Sequence, residues 1–215
     1  MGMAEFKQGC RAIVRPLVRA LDRLGVSPLG VSLAGLALSG AAAGVIAGGH
    51  LRAGALLLLL GSGLDMVDGD LARLQGRASK QGAFLDSNFD RLAEALVFAG
   101  LLWFCLTGPP SPRPVTAMLI LAAVAGSLTT SYARARAEGL GVTCGEGFFQ
   151  RPERMVLLIL GLLLGWRAME WVVGALAVLS LATTVQRIVQ VSRKLAPPPP
   201  EARAAAGPRG RKEPS

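Results

Sequence analysis

Apolar residues run along the chain in six long stretches divided by short polar segments: Val26 to Gly48, Ala53 to Leu74, Gly82 to Leu106, Val115 to Ala135, Met155 to Trp166 and Trp171 to Val191. A helix that crosses a bilayer needs about 20 mostly apolar residues, so these stretches predict six membrane-spanning helices. The fifth is short from Met155 and reaches spanning length only if its helix starts near Pro152, a residue suited to a first helical turn. Upstream, Glu5 to Leu24 sets Ile13, Leu17, Leu21 and Leu24 at helical spacing with Arg11, Arg15, Arg19 and Asp22 between them. That is the pattern of an amphipathic helix lying on a membrane surface. From Ala196 onward the chain is rich in Pro and Ala, cannot bury a core, and predicts a disordered tail. The expected organisation is all-α and integral to the membrane, with a juxtamembrane helix over 1–25, a six-helix domain over 26–195 and a cytoplasmic tail over 196–215.

Composition supports this class. Of 215 residues, 52% are hydrophobic and only 17% charged, a balance too apolar for an ordinary soluble domain. The net charge of +9 would suit nucleic acid, but aromatics are only 5% and the basic residues are spread between apolar stretches. No nucleic-acid partner is expected; an anionic membrane surface or substrate fits better. Cys10, Cys105 and Cys144 are far apart and form no CxxC, which argues against a disulfide framework or a zinc site. The single His50 excludes any mechanism that needs two histidines. The first apolar stretch resembles a span more than the core of a cleavable signal peptide.

Charge also orients the spans. Twenty of the 23 Lys and Arg residues fall before the first span, at or between the facing ends of the second and third and of the fourth and fifth, or at and beyond the end of the sixth; the other side has Arg52, Arg113 and Arg167. By the positive-inside rule both termini and the segment around Asp65 to Asp90 face the cytoplasm of a multi-pass cell-membrane protein.

That segment carries the chemistry. Asp65 and Asp68 are three residues apart and Asp86 and Asp90 four apart, so on helices each pair shares a face. Gly69 and Ala72 flank the first pair, and Gly82 lies one turn before Asp86. Two successive spans thus each offer a carboxylate pair with small residues clearing space beside it. Carboxylates in membrane helices are costly and mark function. An all-oxygen donor set without His or Cys favours Mg²⁺ or Mn²⁺, and two such ions clamp a phosphoryl group in flight. Asp70 lies outside the pattern and is expected to point to solvent.

The run Asp65-x2-Asp68-Gly69-x2-Ala72-Arg73-x8-Gly82-x3-Asp86-x3-Asp90 resembles the CDP-alcohol phosphotransferase family at every fixed position. The resemblance implies a six-span membrane enzyme, usually a homodimer, that joins a CDP-linked donor to an alcohol and releases CMP. It implies that Asp65, Asp68, Asp86 and Asp90 bind two metal ions, that Asp90 is also the general base, and that Gly69, Ala72, Arg73 and Gly82 shape the CDP site, with Ser79 beside the nucleotide. Many members carry Pro-Asn-x-x-Thr at the start of span one; here it is Pro28-Leu-Gly-Val-Ser32, so the proline and the Ser32 hydroxyl remain while the Asn is absent.

The motif leaves the acceptor open. Tyr132-Ala-Arg134-Ala-Arg136-Ala-Glu138, Arg151-Pro-Glu-Arg154 and Gln186-Arg187 all lie on the cytoplasmic side, and converging guanidinium groups suit a phosphate dianion. These segments resemble the phosphatidylinositol phosphate synthases of actinobacteria and their archaeal relatives. That resemblance implies CDP-diacylglycerol as donor and inositol phosphate as acceptor, its phosphate held by Arg134, Arg154 and Arg187. Arg136 and Arg151 are explained equally well by positive-inside topology. The rival acceptor is glycerol 3-phosphate, giving phosphatidylglycerol phosphate. A cation transporter using the same carboxylates would not need Gly69, Ala72, Arg73 and Gly82 at this spacing, and a non-catalytic scaffold would not need all four aspartates.

Overall fold

The structure is a computed structural model that describes residues 14–109, 113–144 and 147–196. All of its regular elements are helices: α1 over 14–23, α2 Pro28–Ala47, α3 Leu51–Leu74, α4 Lys80–Thr107, α5 Pro114–Gly139, α6 Arg151–Leu164 and α7 Trp166–Leu195. The start of the amphipathic helix and the tail beyond residue 196 lie outside the described residues.

Local chemistry sets the boundaries. Ser27 caps α2, its hydroxyl accepting the Gly30 N–H at 3.1 Å, with Pro28 at the first helical position. Ser79 caps α4 in the same way through Gly82, also at 3.1 Å. Helix α6, the fifth expected span, begins at Arg151, earlier than its apolar stretch, because the Gln150 N–H donates to the Glu153 carboxylate at 3.0 Å and Pro152 needs no donor there. It ends at Gly165, whose φ of 94° is open to glycine and strained for other residues.

Trp166, expected to close the fifth span, instead opens α7. Its ring meets Phe104 edge-on at 5.0 Å, lies 4.2 Å beneath the Arg113 guanidinium, and its indole N–H donates to Glu170 at 2.8 Å. This cluster fixes the end of the bundle remote from the carboxylates.

The six long helices close into a ring in which α2 packs on α3, α3 on α6, α6 on α7, α7 on α5, α5 on α4 and α4 back on α2. Ile46, Leu58, Phe98, Leu101, Ile120, Leu158, Leu162, Met169 and Leu176 fill its interior. Small residues set the spacing where backbones meet, as is usual between membrane helices. At Gly100 a Cβ would lie 2.3 Å from the Ala43 carbonyl oxygen of α2. The α5–α7 seam is polar: the Thr130 hydroxyl meets the Thr184 hydroxyl at 2.7 Å and the Ser180 carbonyl at 3.1 Å.

Helix α1 docks on the bundle by one edge. Val18 is buried against Val31, Val67 and Leu71, with Val14 and Leu21 beside it, while Leu17 and Leu24 are exposed. The edge facing the bundle is therefore one residue round from the stripe of Leu residues.

Helices α2, α5 and α7 are long and apolar enough to cross a membrane. In α3 and α4 the aspartates interrupt the apolar run, and α6 has only 14 residues, a length of about 21 Å at ~1.5 Å per residue.

The Gly100 contact gives a packing test. Gly100→Ala is expected to destabilise the bundle by about 1–3 kcal/mol, read as a lowered thermal midpoint in detergent. Gly44→Ala, where a Cβ meets nothing within 4 Å, is expected to leave that midpoint unchanged.

Candidate active site

The second half of α3 and the first half of α4 bring the four aspartates together. Each lies within electrostatic reach of others: Asp65 acts on Asp68, Asp86 and Asp90, and Asp86 acts on Asp68 and Asp90. Helix α2 reaches them through two small residues. The Ser32 hydroxyl donates to the buried Asp68 carboxylate, and Gly35 leaves room for Asp65, whose Oδ1 would be 3.0 Å from a Cβ at that position.

Helix α6 supplies the counter-charge. Arg151 Nη2 lies 2.9 Å from Asp65 Oδ2 and 2.8 Å from Asp90 Oδ1, so one guanidinium nitrogen joins α3 to α4. One turn further, Arg154 grips Glu94 with both arms of its fork, Nε at 2.9 Å and Nη2 at 3.2 Å, both side chains being almost wholly buried. Arg91 adds charge near Asp86 and Asp90.

Beside the aspartates opens a cleft of about 430 Å³. Its walls include Ser32, Gly69, Ala72, Arg73, Ser79 and Gly82, all six of the residues expected at the CDP site, together with Asp68 and Asp86. Ser27, Arg77 and Gln81 line it too. Asp70 is not the solvated residue expected of it, since it pairs with Arg73. Arg73 sits i+3 from it on the helix.

An oxygen-rich donor set from two helices fits a hard divalent cation, and the Asp65 and Asp90 oxygens already bracket one point of positive charge. Among the described residues, however, no three Asp, Glu, Cys or His side chains converge closely enough to hold a metal ion. Arg151 engages Asp65 and Asp90, and Ser32 engages Asp68.

The three arginines expected at the acceptor phosphate end up close to one another but in unequal settings. Arg134 is exposed and paired with Glu138 at 2.8 Å, a surface contact of small energetic value. Arg154 is committed to Glu94 along one edge of its fork. Arg187 is buried, donates Nη1 to the Thr130 carbonyl at 2.7 Å, and keeps a buried Nε with no hydrogen-bond partner. It lies within the field of both Arg134 and Arg154. Tyr132, on the same helix end as Arg134, is exposed.

Sequence reasoning did not single out Glu94 and left Arg151 unassigned. Glu94 had a signal: it continues the four-residue spacing from Asp86 through Asp90. Arg151 had none beyond its charge.

The family model of CDP-alcohol phosphatidyltransferases matches residues 23–186. A phosphatidylinositol phosphate synthase of Mycobacteroides abscessus is 38% identical over 182 residues, covering 82% of each chain. The crystal structure of the Mycobacterium tuberculosis phosphatidylinositol phosphate synthase with CDP-DAG bound matches at a TM-score of 0.78, with 33% identity over 84% of this chain and 94% of that one. The structure of that enzyme with manganese and citrate matches at 0.75, with 35% identity over 82% and 87% of the two chains.

The Glu94–Arg154 pair is testable by a double-mutant cycle. Glu94→Ala leaves a buried guanidinium unpaired and is expected to cost about 3–5 kcal/mol. Adding Arg154→Met is expected to recover much of that loss, read from thermal midpoints of the single and double variants.

Proposed function

The chain belongs to the CDP-alcohol phosphatidyltransferase family, a membrane phosphotransferase, and we propose that it moves the phosphatidyl group of CDP-diacylglycerol to inositol phosphate, giving phosphatidylinositol phosphate and CMP. The observation that carries the acceptor is Arg187, buried with an unpartnered Nε and within the field of Arg134 and Arg154. Such a setting suits a phosphate dianion, which guanidinium groups bind in a fixed fork. The names of the similar synthases support the same acceptor.

The cytidine diphosphate lies in the cleft between α2, α3 and α4. Gly69, Ala72 and Gly82 let it approach the backbone; Arg73 and Arg77 face its phosphates, and Ser32 and Ser79 offer hydroxyls. Asp65, Asp68, Asp86 and Asp90 would hold divalent cations, Mg²⁺ or Mn²⁺ and two in number, which would supply charge neutralisation at the pyrophosphate and the departing CMP. Asp90 takes the proton of the inositol hydroxyl. The freed oxygen forms a bond to the β-phosphorus as the anhydride bond to CMP breaks. Arg134, Arg154 and Arg187 hold the acceptor's own phosphate so that its hydroxyl faces Asp90.

In the membrane, α2 to α7 form six spans with α1 on the cytoplasmic leaflet, and both termini and the site face the cytoplasm. The positive-inside pattern supports this, as do the three helices that qualify by length and composition. The family resemblance supports a homodimer.

The deciding measurement is CMP release from CDP-diacylglycerol with Mn²⁺ across an acceptor panel. Release is expected with inositol phosphate and not with free inositol; release with glycerol 3-phosphate alone would overturn the acceptor. Asp90→Asn is expected to lower turnover by about 10²–10⁴-fold in a protein that still folds and melts cooperatively, and near-normal turnover would refute the base. Arg187→Ala is expected to raise the KM for inositol phosphate at least about tenfold while leaving the KM for the donor unchanged.

A further inference from the structure

We propose that Arg151 is a built-in counter-cation of the carboxylate site, competing with the divalent cation for Asp65 and Asp90. The inference rests on the reading of those aspartates as metal ligands. Both ion pairs of Arg151 run through one nitrogen, Nη2, at 2.9 Å from Asp65 Oδ2 and 2.8 Å from Asp90 Oδ1. A hard cation takes oxygen ligands at about 2.0–2.6 Å. An oxygen that accepts from Nη2 has less charge and freedom to offer that cation, and the two positive charges repel. Guanidinium and cation therefore compete for the same two oxygens.

The neighbouring arginine makes the contrast. One helical turn along α6, Arg154 is pinned along its fork by Glu94 and almost wholly buried. Arg151 has no such anchor: its side chain is 27% exposed and its Nε is buried without a partner. Its backbone is fixed at the start of α6 by the Gln150–Glu153 contact, so exchange needs only a turn of the side chain. Arg91 remains beside Asp86 and Asp90 whichever cation is present. The exchange thus keeps the carboxylates compensated throughout, and Arg151 sets how tightly the site holds its ion.

The test is Mn²⁺ binding to the purified full chain in detergent, followed by the electron paramagnetic resonance of free Mn²⁺, with thermal midpoints measured alongside. Arg151→Gln is expected to bind Mn²⁺ on the order of tenfold more tightly than the parent. It is also expected to melt lower without Mn²⁺ and to gain more stability when Mn²⁺ is added. Arg136→Gln, which removes the same charge from the same end of the bundle, is expected to leave Mn²⁺ affinity unchanged. Equal or weaker binding by Arg151→Gln, or equal tightening by Arg136→Gln, would overturn the proposal while leaving the metal site intact. A parent protein that binds no Mn²⁺ would remove the metal reading and this inference together. Should Arg151→Gln not fold, Arg151→Lys carries the test, because its shorter ammonium reaches both oxygens less well. Severalfold tighter Mn²⁺ binding is then expected, and parent-like affinity would overturn the proposal.

Discussion

Charge balance inside a helix bundle governs this molecule. Helices α3 and α4 bring Asp65, Asp68, Asp86, Asp90 and Glu94 to one end of the ring, and an unpaired carboxylate in a low-dielectric interior costs several kcal/mol. Helix α6 answers with Arg151 and Arg154, one for the aspartates and one for Glu94. Its place beside α3 follows, and so does its early start at Arg151, which carries guanidinium groups to the depth of the carboxylates. Once α6 is fixed there, α7 turns back at Gly165, packs along α5, and delivers Arg187 to the same end.

The arrangement divides the carboxylate end of the bundle into two halves. Helices α2, α3 and α4 make the cleft, with small residues at its walls and Ser32 reaching in to Asp68. Helices α5, α6 and α7 carry the arginines. The aspartates stand between these halves. The remote end is built differently. There Phe104, Arg113, Trp166 and Glu170 lock α4, α5 and α7 together, which gives the site end a rigid base.

The helices and the aspartate pairs were legible in the chain because both rest on local periodicity. Apolar stretches placed α2 to α5 within a few residues, and the spacing of Asp65, Asp68, Asp86 and Asp90 encoded two shared faces. Ser27 and Ser79 capped as serines before helices do. Pairings across the ring were not legible. Arg151 meets Asp65 from 86 residues away, and a basic residue at a helix end is equally well explained by topology. Glu94 continues the face of Asp86 and Asp90, yet its partner lies on another helix. Trp166 was assigned to the wrong helix because hydropathy does not register a Gly at positive φ. The edge by which α1 docks was not legible either: Val14 and Val18 lie one residue round from the more conspicuous Leu17 and Leu24, and only contact with Val67 and Leu71 selects it.

The ring order differs from the chain order, and this bears on biosynthesis. Helices α3 and α4 emerge from the ribosome well before the residues that balance them: Glu94 waits 60 residues for Arg154, and Asp65 waits 86 for Arg151. At about 5–20 residues per second, the nascent bundle holds its acidic helices without their partners for several seconds. Only when α6 is made do these carboxylates gain the guanidinium groups that balance them, so the acidic end of the bundle is the last part of α3 and α4 that can settle.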